Sequence, residues 1–193
     1  MKSGSPKPLD IALDHHRAGR FGEAEPIYCD ILARAPDNHR ALHLLGTLLY
    51  QTHRHGPAEK MLREAIRLFP GQAAYHYHLA NVLKDTGRTV KAIEELEAAV
   101  RINNDFFDAL FLLGVLHQAR ENYTAAEQVL RQALLHKPSH AATYFQLGKT
   151  LWNRRLPTNR QEAEAAFRMC LKLDPNNVGA YVNLGGILHT LGR

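Results

Sequence analysis

The sequence predicts an all-α fold, a solenoid of stacked helix–turn–helix hairpins with five full repeats and a final single helix, and three regularities predict it. Pro36 recurs at Pro70 and Pro138, with Asn104 in the slot between, every step being 34 residues. The same step links Ala12, Gly46, Ala80, Gly114 and Gly148, and it links Ala24, Ala58, Ala92 and Ala126. Within each period, apolar residues recur at helical spacing in two runs of about fourteen residues. A fixed period over most of a chain means stacked units that bury their apolar faces against one another. Function in such an array comes from the extended surface that the stack creates.

Taken in order, residues 1–8 are polar and proline-containing, and we expect a flexible tail. The array then fills 9–193, with repeats at about 5–38, 39–72, 73–106, 107–140 and 141–177 and a partial repeat at 178–193. In each repeat the first helix carries a Leu beside a small residue, as at Leu45-Gly46, Leu79-Ala80, Leu113-Gly114, Leu147-Gly148 and Leu184-Gly185. The second helix carries Ala24, Ala58, Ala92, Ala126 or Ala163, with Tyr28, Leu62, Leu96, Leu130 or Phe167 four residues later. Two helices approach closely only where side chains are short, so the small residues mark the contact and the large ones fill the space around it. Gly19, Gly87 and Gly192 fall at the turn between the helices, where a left-handed backbone costs glycine little. The proline that follows the second helix ends it and pushes the preceding residue out of the α region.

Departures mark irregular places. Pro26 lies inside the second helix of the first repeat, which predicts a kink or a late start. His53 and Glu121 replace the turn glycine, and Pro57 falls in a first helical turn, where it is tolerated. The step from Gly148 to Gly185 is 37, because the segment from Arg155 to Arg160 adds three residues between two helices.

The Leu-Gly pairs, the turn glycine, the second-helix alanine, the large residue after it and the terminal proline together resemble the tetratricopeptide repeat family. The resemblance covers roughly residues 5–193 and implies a right-handed α-solenoid whose first helices line a concave groove. Pentatricopeptide arrays, which read RNA, are the nearest confusable class, and the 34-residue step argues against them.

Composition narrows the function classes. A net charge of +5 over 193 residues is modest, and the lysines and arginines interleave with acids along the second helices, which reads as a solvated outer face. A nucleic-acid surface needs a longer basic stripe with stacking aromatics, so no nucleic acid is expected. No apolar run approaches the length that spans a bilayer, so no membrane insertion is expected. Cys29 and Cys170 are the only cysteines and read as reduced packing residues, which points weakly to a cytoplasmic setting. Serine occurs only at Ser3, Ser5 and Ser139, and no phosphate-binding glycine loop, His-Glu-x-x-His or Cys-x-x-Cys is present. Neither catalysis nor a cofactor is expected. Among twelve histidines, His39 and His43 have a metal-compatible i, i+4 spacing but lack an acidic or cysteine partner on their face. Scattered surface histidines are the reading carried forward, with no metal.

Helical register maps the groove that the resemblance implies. It receives Arg40, His43 and Tyr50 in the second repeat, and Tyr77, His78, Asn81 and Lys84 in the third. Phe111 and Gln118 follow in the fourth, Phe145, Gln146, Lys149 and Trp152 in the fifth, and Asn183 in the sixth. Tyr77, Phe111 and Phe145 form one column at 34-residue steps. These rings either bind a ligand, as aromatics do in interface hot spots, or pack against the neighbouring repeat. The slots that clamp a C-terminal carboxylate in some family members hold Tyr77, Asn81, Leu112, Ala142 and Gln146, of which only Asn81 fits.

The leading expectation is an interaction scaffold that binds a protein or peptide segment in the groove without catalysis. A second is a substrate-recognition arm of a larger transferase, since His15–Glu25 and Ala41–Gly46 look like the opening repeats of bacterial O-GlcNAc-transferase-like or sulfotransferase-like proteins. A third is self-assembly as a homodimer through residues 178–193, where Ile187, Leu188 and Leu191 are expected to lack a covering helix.

Overall fold

Eleven helices form among the described residues, which are 7–154, 159–190 and 192 of the computed structural model. The first helices of the repeats are α1 (Pro8–Arg17), α3 (His39–Gln51), α5 (Ala73–Asp85), α7 (Phe107–Ala119), α9 (Ala141–Asn153) and α11 (Val178–Thr190). The second helices are α2 (Phe21–Arg34), α4 (His55–Leu68), α6 (Thr89–Ile102), α8 (Tyr123–His136) and α10 (Asn159–Leu173). The 34-residue step therefore survives in the helix starts themselves, at 39, 73, 107 and 141 and at 21, 55, 89 and 123. Pro8 opens α1, so the helix begins within the stretch read as tail.

The chain divides into two compact units, Met1–Ile102 and Asn103–Arg193. In the first unit, α1 to α5 each pack on the next helix, α5 packs on α6, and the first helices also meet, α1 against α3 and α3 against α5. In the second, α7 packs on α8, α8 on α9, α9 on α10 and α10 on α11, with α7 and α11 each touching α9.

The close approach expected at the small residues is present. A Cβ added at Gly46 would sit 2.8 Å from Leu62 Cγ, and one at Gly148 would sit 2.9 Å from the Phe167 ring. Ala24, Ala58, Ala92, Ala126 and Ala163 are fully buried, as are Tyr28, Leu62, Leu96, Leu130 and Phe167. The residues before Pro36, Pro70 and Pro138 leave the α region, with φ of −141°, −144° and −131°. His53 and Glu121 both adopt φ of 59°, filling the turn-glycine position at a steric cost that Gly19 and Gly87 avoid.

Four expectations are corrected. Pro26 does not delay α2, which starts at Phe21 in register with α4, α6 and α8. Cys29 is exposed rather than buried in a core, whereas Cys170 is buried in the slot of Ala65, Ala99 and Ala133. Ile187 is fully buried against Leu147, Leu151 and Phe167, so it needs no further helix to cover it. The exposed side of α11 instead carries Val178, Tyr181 and Val182; Leu191 lies outside the described residues, as do 155–158 of the lengthened turn. The fourth correction concerns the histidines and follows below.

A charge pattern missed in the sequence bridges successive repeats. Arg54 grips Glu25 through two hydrogen bonds of 2.8 and 2.7 Å, and Arg88 grips Glu59 in the same way at the position 34 residues on. Each guanidinium holds its partner carboxyl below the usual carboxylate range. The signal was available as Glu25, Glu59 and Glu127 beside Arg54 and Arg88, with Ile93 and Asn122 interrupting it. In the second unit Glu127 pairs with Arg154 at 2.6 Å.

Candidate functional site

In the first unit, the inner positions of α1, α3 and α5 gather histidines rather than scatter them. His43 stacks on Tyr75 at 4.4 Å between ring centroids and lies 4.9 Å from the His78 ring. His16 is buried; its Nε2–H donates to Gln51 Oε1 at 2.8 Å, and Tyr28 Oη donates to its Nδ1 at 3.3 Å. Burial first, and then His78 and His16, push His43 down to about 3. Burial and His16 push His78 down to about 4. Both rings are thus neutral at pH 7, since a charge there loses water and meets other imidazoles. His43 Nε2 is covered and meets no hydrogen-bond partner.

Two adjoining cavities open beside this cluster, sharing Leu13, His43 and Leu44. One, about 380 Å³, is lined also by His16, Arg17, Phe21, Thr47 and His78. The other, about 260 Å³, is lined also by His39, Arg40, Phe69 and Tyr75. Both are walled chiefly by first helices of successive repeats, the face to which register assigned the groove.

The other expected residues of this unit are engaged in different ways. Tyr77 meets the His78 ring edge-on at 5.3 Å. Tyr50 Oη donates to Asp85 at 2.6 Å, and burial, with that hydrogen bond, pushes its hydroxyl up to about 12. Lys84 pairs with the same Asp85 at 2.8 Å. Asn81 Nδ2 donates to Tyr77 O within its own helix at 3.0 Å, so that donor is already used.

In the second unit, the same helical positions turn toward the core. Phe145 meets Phe167 at 6.0 Å, and Phe111 and Trp152 pack on the same cluster while staying partly exposed. Phe111 also stacks with Phe107 at 6.2 Å. Gln118 Nε2 donates to Gln146 O at 3.2 Å and to Thr150 Oγ1 at 3.1 Å, tying α7 to α9. Gln146 Oε1 is buried without a partner. Lys149 Nζ lies 5.6 Å from the Phe145 ring centroid, and Asn183 Nδ2 donates to Gly179 O at 2.7 Å. A cavity of this unit, about 430 Å³, lies on the second-helix side, lined by Arg131, Glu162, Ala165, Ala166 and Met169 with Tyr144, Leu147 and Leu151.

His16 is one residue of this face that the register, begun at the second repeat, left out. It stands one 34-residue step before Tyr50, in the column that continues through Lys84, Gln118 and Trp152, so extending the column backwards finds it. Among the described residues, no group of three metal-ligating side chains converges, and no helix is long and apolar enough to cross a membrane.

Comparison with known proteins agrees with this architecture. The crystal structure of MamA aligns with a TM-score of 0.77 and 22% identity, covering 87% of this chain and 90% of that one. YrrB, described as a TPR protein with an unusual peptide-binding site, aligns with a TM-score of 0.77 and 19% identity over 96% of this chain and 91% of its own. The Thermobaculum terrenum O-GlcNAc transferase aligns at 33% identity and a TM-score of 0.62, covering 66% of this chain but 25% of that one. The human protein O-mannosyl-transferase TMTC1 is 30% identical over 77% of this chain, which spans 17% of its length. A tetratricopeptide repeat model matches residues 15–82 and 83–149. On these matches and on the hairpin plan that both units share, the chain belongs to the tetratricopeptide repeat family.

Proposed function

We propose that this chain is a protein-interaction module that takes a segment of another protein on the first-helix face of its amino-terminal unit. The observation that carries the reading is the pair of adjoining cavities walled by α1, α3 and α5, with Leu13, His43 and Leu44 common to both. Apolar walls with a few placed polar groups are what a recognition pocket needs. The peptide-binding site of YrrB, a protein of the same fold, supports the class of ligand.

Affinity capture from the source lysate tests it. Thr47 lines the larger cavity, and Thr47→Arg fills it with a long charged side chain. Proteins retained by wild type should be lost with Thr47→Arg and kept with Lys60→Glu on the exposed side of α4. Equal retention by both variants contradicts the reading.

A second reading is favoured by the likenesses to an O-mannosyl-transferase and an O-GlcNAc transferase. In it, the same face presents acceptor proteins to a transferase domain encoded in the same reading frame. A frame around these 193 residues that encodes no such domain contradicts it.

A further inference from the structure

The two cavities of the amino-terminal unit differ from the rest of its surface in charge. Arg17 stands on one and Arg40 on the other, both exposed, and no carboxylate lines either cavity. Neither arginine has an ion pair among the described residues, whereas Arg54, Arg63, Arg67 and Arg88 of the same unit are each paired with a glutamate. The pairing elsewhere shows what this surface does with a guanidinium when a carboxylate is near. Between the two cations the walls include Leu13, Leu44, Phe21 and the rings of His43 and His78, with one buried ring nitrogen, His43 Nε2, still unbonded.

Resting on the reading that this face binds a protein segment, we propose that its ligand is an acidic one: an extended segment that places apolar side chains in the cavities and carboxylates against Arg17 and Arg40. Guanidinium and carboxylate match as planar, bidentate partners, and each arginine is free to make that match. The apolar floor sets this site apart from a pure carboxylate clamp, because Leu13 and Leu44 offer contact area and no hydrogen bond. A basic segment meets two like charges with no compensating acid, and is rejected.

Selection of a random dodecapeptide display library on the 193-residue chain tests this. Enriched peptides should carry several Asp or Glu beside Leu, Ile or aromatic residues. The leading peptide, measured by fluorescence anisotropy, should lose about tenfold or more in affinity when its acids become Asn or Gln. The Arg17→Gln/Arg40→Gln double variant should show a similar loss with unchanged helical circular dichroism. Enriched peptides without acids, blocked by Thr47→Arg but indifferent to the double variant, overturn the acidic ligand and leave the groove in place. A selection that enriches nothing overturns both.

Discussion

In the amino-terminal unit the inner positions of the first helices gather His16, His43 and His78 around open cavities, whereas in the carboxy-terminal unit they carry Phe111, Phe145 and Trp152 packed on the core. The hairpin plan is the same in both, down to the 34-residue spacing of helix starts. The repeat thus dictates where a side chain stands. Whether it becomes wall or filling depends on its size and on the room left by the next helix. A phenylalanine at 145 reaches Phe167 and packs on the core cluster, while a histidine at 43 stacks on Tyr75 with a cavity beside it.

The largest way to break the comparison is to remove the filling. Phe167 is fully buried under Phe145 and Gly148, and Phe167→Ala should cost about 3–5 kcal/mol in chemical denaturation. A loss below about 1 kcal/mol would mean that the second unit is not held by this cluster.

Acid should separate the units next. His43 and His78 titrate at about 3 and 4 in the fold against 6.5 ordinarily, so between pH 6.5 and about 4 the unfolded chain binds protons that the fold refuses. Stability is then full above pH 6.5 and falls as pH falls, by up to about 1.4 kcal/mol per pH unit for each histidine. His76 has the opposite sign: its hydrogen bond to Glu95 raises it, so its contribution is present below 6.5 and fades as pH rises. Hydrogen exchange across a pH series should show α3 and α5 opening in acid before α8 and α10, and His43→Gln with His78→Gln should flatten the slope. Uniform opening would sink the assignment.

Smaller effects sharpen the close-approach argument. Gly46→Ala drives a Cβ to within 2.8 Å of Leu62 and should cost about 1–3 kcal/mol. Gly185→Ala meets nothing within 4 Å and should instead stabilise α11 by about 0.5–1 kcal/mol. His53→Gly and Glu121→Gly relieve a left-handed backbone in one unit each and should each gain about 0.5–1 kcal/mol. Shifts in denaturation midpoint measure all four, and equal signs at Gly46 and Gly185 would contradict the packing account.

The hairpins were legible because a period leaves its mark at every copy: one glycine or proline is weak, but Gly46, Gly114 and Gly148 at fixed steps are specific. The candidate face was legible only in part. Register placed His43 and His78 on one face, yet His43 stacks on Tyr75 of the next repeat and His16 is held by Gln51 of the next, and no single repeat contains that arrangement. The aromatic column was legible as a shared position only. Equal spacing gave Tyr77, Phe111 and Phe145 one address, but their neighbours differ, so Tyr77 sits against His78 while Phe145 enters a core. Ile187 shows the same limit, since its cover comes from α9 and α10 rather than from a following helix.

The most direct test of the central claim is site-specific photocrosslinking with p-benzoylphenylalanine in place of Thr47 on the inner face of the amino-terminal unit, compared with Glu64 on its outer face. The account predicts one discrete crosslinked protein from Thr47 and none from Glu64. A product from Glu64 alone, or the same product from both, would contradict it.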